Sequence, residues 1–67
     1  MATEIENNCG IVDLANGFRF VWMRAKDGEV SGFVENADRS IVKGSNGWYR
    51  TNDAAVAARI AEANLNS

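Results

Sequence analysis

The sequence predicts an α+β fold: a small antiparallel sheet of three to five strands, with one C-terminal helix packed on one face. Three observations predict it. All the strong β-forming runs lie before residue 52. Two compact turn signals, Asn16-Gly17 and Lys26-Asp27-Gly28, separate the first three runs. After Thr51-Asn52-Asp53 the chain switches to AAVAARIAEANL, rich in helix formers and preceded by capping residues.

The elements follow in order. GIVDLA (10–15) and FRFVWMRA (18–25) flank Asn16-Gly17. Asn-Gly suits a type I′ turn, because both central residues need positive φ. A two-residue loop would set Val12 opposite Val21 and Ile11 opposite Trp22. The second turn leads into EVSGFVE (29–35). A three-residue loop there puts Arg19 opposite Glu35 and Val21 opposite Phe33. A two-residue loop puts Trp22 opposite Phe33, and a slip of one residue exchanges the two faces. RSIVK (39–43) is a candidate fourth strand and WYRT (48–51) a brief fifth, separated by the turn formers of Gly44-Ser45-Asn46-Gly47. The helix is expected over about 52–64. Val56 and Ile60 are its expected core residues, with Ala57, Ala61 and Ala63 alongside, and Asp53 sits at the positive end of its dipole.

At 67 residues the chain is expected to be one domain, 1–67, with a flexible lead over residues 1–8 and a frayed tail. So small a domain buries only about 60% of its unfolded surface, and such domains often lean on a disulfide, a metal or a partner subunit. Cys9 stands alone and histidine is absent. Neither an internal disulfide nor a Cys/His zinc site is expected, which leaves self-association. The net charge of −2 is too mild for the field of a strong nucleic-acid binder. No run approaches a membrane span, and MATEIENN reverses the order of a signal peptide. With a free cysteine, these features predict a cytoplasmic protein.

FRFVWMRA is apolar on both sides. Phe18, Phe20 and Trp22 point one way; Val21 and Met23 point the other, beside Arg19. One helix covers one face, so either choice leaves an apolar patch exposed. Trp22, Met23, Arg24, Trp48, Tyr49 and Arg50 form two local clusters of the residue types that interfaces favour, and they are the candidate partner-binding residues. One ring of Trp48 and Tyr49 is expected to seal the core where helix meets sheet.

No constellation for catalysis emerges. GSNG lacks the spacing and lysine of a phosphate-binding P-loop. Asp27, Glu29, Glu35 and Asp38 cluster near turns rather than as a pair in a cleft. Cys9 has no histidine to activate it. The chain therefore reads as a non-enzymatic, cofactor-free protein-binding module that docks on another protein or on itself as a homodimer. In size, acidity and form it resembles, in type only, the small inhibitors and accessory proteins that phages encode, including anti-CRISPR proteins. That resemblance implies blocking or modulating a larger protein. The alternative is single-stranded nucleic acid stacked on the open sheet, with Arg19, Arg24, Lys26, Lys43 and Arg50 on phosphates. It requires those cations to share a face unmixed with Asp27, Glu29 and Glu35.

Overall fold

The turn chemistry at residues 15–18 begins the sheet. In the computed structural model, which describes residues 8–65, Asn16 adopts φ 62 and ψ 28, and Gly17 adopts φ 84. The Phe18 N–H donates to the Ala15 carbonyl at 3.3 Å, closing the turn that the Asn-Gly pair predicts. It joins β1 (Cys9–Asp13) to β2 (Arg19–Arg24). The expected flexible lead lies, apart from Asn8, outside the described residues, as does the expected fraying at 66 and 67.

The β1–β2 register differs from the two-residue-loop expectation by one position. Val12 lies opposite Phe20, Ile11 opposite Val21, and Gly10 opposite Trp22. A bulge beside the turn produces the shift. Leu14 donates its N–H to the Phe18 carbonyl at 2.8 Å, whereas the Ala15 N–H leaves the ladder and donates to Glu62 Oε2 at 3.1 Å. The packing reason is the indole of Trp22. A Cβ at position 10 would stand 3.1 Å from that ring, so a glycine fits there and the Ile11 of the unbulged register does not.

The second hairpin takes the three-residue loop. Ala25 and Glu29 close it, and β3 (Val30–Glu35) runs with Glu35 opposite Arg19 and Phe33 opposite Val21. RSIVK does not form a fourth strand; Ile41 makes one bridge to Glu35. A side chain takes the place of the missing ladder. Ser45 Oγ accepts the Val34 N–H at 2.9 Å and donates to the Val42 carbonyl at 2.7 Å, while Val42 N–H donates to the Val34 carbonyl. WYRT contributes only its start: β4 is Gly47–Trp48, paired to Ser31 and Gly32. Arg50, at φ 58, turns the chain out of the strand. The sheet is four-stranded and antiparallel, in the order β1-β2-β3-β4.

The helix α1 (Ala54–Leu65) starts where Asp53 Oδ1 accepts the Ala55 N–H at 2.9 Å. It packs chiefly across β2 and β3. The core joins Phe20, Trp22, Val30, Val34 and Tyr49 to Ala57, Ala58 and Ala61. Val56 and Ile60, expected in that core, instead face solvent at 43% and 38% exposure. The bulk of the core comes from the sheet, and small alanines on the helix let its backbone lie close to those large side chains. Branched residues on the same stripe would hold the helix away.

Candidate functional site

Pleating sorts the sheet's side chains onto two faces. Phe20 and Trp22 lie beneath the helix, so Arg19, Val21 and Met23 occupy the open face. The registers assemble that face as three cross-strand rows. One runs Cys9–Met23–Ser31–Trp48, the next Ile11–Val21–Phe33, and the third Asp13–Arg19–Glu35, continued by Ile41. The first two rows are apolar apart from Ser31. In the third, Arg19 Nη2 meets Glu35 Oε1 at 3.0 Å.

Large apolar side chains stand out from this face. Ile11 is 56% exposed, Met23 60%, Trp48 58% and Ile41 53%, while Val21 and Phe33 are half-buried between them. Ser31, small and flanked by Met23 and Trp48 in its row, leaves a dip. A recess of about 220 Å³ opens there, lined by Val21, Met23, Ser31, Phe33 and Asn46.

The six candidate partner-binding residues divide between two environments. Trp22 and Tyr49 belong to the core: Tyr49 packs edge-to-face on Phe20 at 5.0 Å and donates its hydroxyl to the Ser45 carbonyl. Burial pushes the Tyr49 phenol above its usual pKa of 10.0. Arg24 lies on the same side, its guanidinium 5.2 Å from the centre of the Trp22 ring and its Nη2 donating to the Asn52 carbonyl. Met23 and Trp48 share a row on the open face, and Arg50 is exposed just past β4. Ile11 and Phe33 complete that face and were missed as site residues; the correct β1 register is the signal that identifies Ile11.

The five cations do not form an unmixed surface. Arg19 is paired with Glu35, Arg24 lies on the helix side, and Lys26 shares its turn with Asp27, whose Oδ1 accepts the Glu29 N–H. Asp38 turns its carboxylate to Ser40, whose hydroxyl and N–H both donate to it and hold its pKa below the usual value.

A second hollow, about 370 Å³, lies between the first turn and the helix C-terminus, lined by Ala15, Phe18, Val42, Glu62 and Leu65 among others. Its carboxylate, Glu62, is engaged by the Ala15 N–H. Among the described residues, no three Cys, Asp or Glu side chains converge as metal ligands would, and no helix is long and apolar enough to cross a membrane. The chain matches no protein-family model, no curated protein and no solved structure.

Proposed function

We propose that this chain is a non-catalytic protein-binding module that docks through the open face of its sheet. One observation carries the reading: Ile11, Met23 and Trp48, each more than half exposed, share one face with a recess lined by Val21, Met23, Ser31 and Phe33. Exposed side chains of this size, gathered rather than scattered, mark interaction surfaces. The chemistry of the face suits another protein surface. It offers aliphatic, thioether and indole groups, and its arginine is neutralised by a neighbouring carboxylate. Docked on a larger protein, such a face would block or modulate it, the mode of the small phage inhibitors that the chain resembles in type.

Affinity capture from the source cell, with wild type and Met23→Glu as paired baits, tests this. A protein retained by the wild type and released by Met23→Glu, with the melting curve unchanged, is the expected result. Single-stranded nucleic acid bound with steep salt dependence, and no protein lost with Met23→Glu, would overturn the reading.

A further inference from the structure

Resting on that docking reading, the geometry of the open face identifies its occupant: we infer that a second copy of this chain closes it, sheet against sheet, across a two-fold axis parallel to the strands and running between β2 and β3. The rows are complementary to themselves under this operation. It lays β2 of each copy over β3 of the other and β1 over β4. In the charged row, Arg19 of each copy then faces Glu35 of the other. In the outer row, the protruding Met23 falls on Ser31 of the other copy, at the recess of about 220 Å³. In the same row, the large Trp48 falls over the small Cys9. Val21 and Phe33 meet in the middle row. Cation meets anion and knob meets hole twice over, while Asp13 falls over Ile41 of the other copy only at the exposed corner of the face.

The two-fold axis perpendicular to the strands does not do this. It sets Arg19 of one copy over Met23 of the other and Asp13 over Cys9, placing ions against apolar groups and leaving Arg19 and Glu35 no opposite charge across the interface.

The area is sufficient. Packing the two faces at the usual sheet spacing would bury on the order of 1,000 Å² in total, at the lower limit for a specific interface. The expected dimer is therefore concentration-dependent. It also answers the limit that size imposes, since among the described residues of one copy only Phe20, Val30 and Val34 are fully buried large side chains.

Light scattering and sedimentation equilibrium, from micromolar to near-millimolar protein, test the pairing. The wild type should pass from the 7.3 kDa monomer to twice that mass. Met23→Glu should weaken association at least tenfold without altering the circular dichroism spectrum. Val56→Glu, on the outer face of the helix, should leave it unchanged. Arg19→Glu and Glu35→Arg, each monomeric alone, should form a dimer when mixed, because each then meets opposite charge on its partner. A wild type that stays monomeric throughout overturns the second copy as occupant. The docking reading then stands if Met23→Glu still releases a protein captured from the source cell. A dimer that survives Met23→Glu and is lost in Val56→Glu also overturns the second copy as occupant of the sheet face, and the docking reading is again decided by whether Met23→Glu releases the captured protein.

Discussion

Gly10 lies directly opposite Trp22 in the β1–β2 ladder, and the indole of Trp22 rests against it. That contact lets Trp22 turn its ring under Arg24 and across β1 instead of into solvent. Gly10→Val should therefore displace the ring and cost about 1–3 kcal/mol. Chemical denaturation followed by tryptophan emission measures it. An unchanged midpoint would mean that the ring moves aside freely.

The turn carries the second prediction. Gly17 sits at φ 84, with the Ala37 Cβ 3.4 Å from where its own Cβ would be. Gly17→Val should lower stability by about 1–3 kcal/mol, because a β-branched residue is strained at positive φ. Gly17→Asn, which tolerates that conformation, should lose much less. Equal melting temperatures for the two variants would contradict a backbone origin.

Much of this architecture was legible in the sequence, and what was not has identifiable causes. Asn16-Gly17 announced its turn because the chemistry of that turn is local. The bulge beside it was not announced, since it answers to the Trp22 indole across the ladder, and the Ala15 N–H that it frees is taken by Glu62, 47 positions away. The register error it caused moved Ile11 to the wrong face. For the helix, the apolar spacing of Val56 and Ile60 pointed to the wrong stripe. Hydrophobicity ranked them above alanine, whereas the sheet, already carrying Phe20, Trp22 and Tyr49, required small side chains opposite it. The site was half legible for a related reason. Composition identified Met23 and Trp48 but could not separate them from Trp22 and Tyr49, because that division is made by which face the helix covers.

The helix rotation is directly testable. Ala57 is fully buried against the sheet, and Ile60 is 38% exposed. Ala57→Leu should destabilise by about 1–3 kcal/mol through overpacking. Ile60→Ala should cost under about 1 kcal/mol, well below a core truncation. Thermal melts of the two variants, run at a concentration where the protein is monomeric, would reverse that order if Ile60 were the core residue.

Ser45 substitutes for a strand. Its hydroxyl takes the Val34 N–H at 2.9 Å at a place where β3 has no full ladder partner. Ser45→Ala should leave that buried donor without its acceptor and cost about 1–3 kcal/mol. Hydrogen exchange gives the local readout. The Val34 amide should lose protection more than Phe20 or Trp22, and uniform loss across the sheet would point instead to a global effect.

Tyr49 makes stability fall at alkaline pH. Burial raises its phenol pKa above the ordinary 10.0, so the folded state keeps the proton that the unfolded state releases. The native state binds more protons than the unfolded chain in that range, and stability must decline as pH rises. The contribution is fully present below pH 10.0, the unfolded value, and is lost as pH climbs through the raised folded value. Tyr49 is the chain's single tyrosine, so phenolate absorbance reports it alone. Denaturant midpoints measured from neutral pH to above the unfolded value should drop in the wild type. Tyr49→Phe should start less stable at neutral pH, having lost the hydrogen bond to the Ser45 carbonyl, by about 1 kcal/mol. Its alkaline decline should be shallower, because only the remaining titratable groups contribute. Parallel declines in the two proteins would show that the phenol is as accessible folded as unfolded, and would place the ring outside the core.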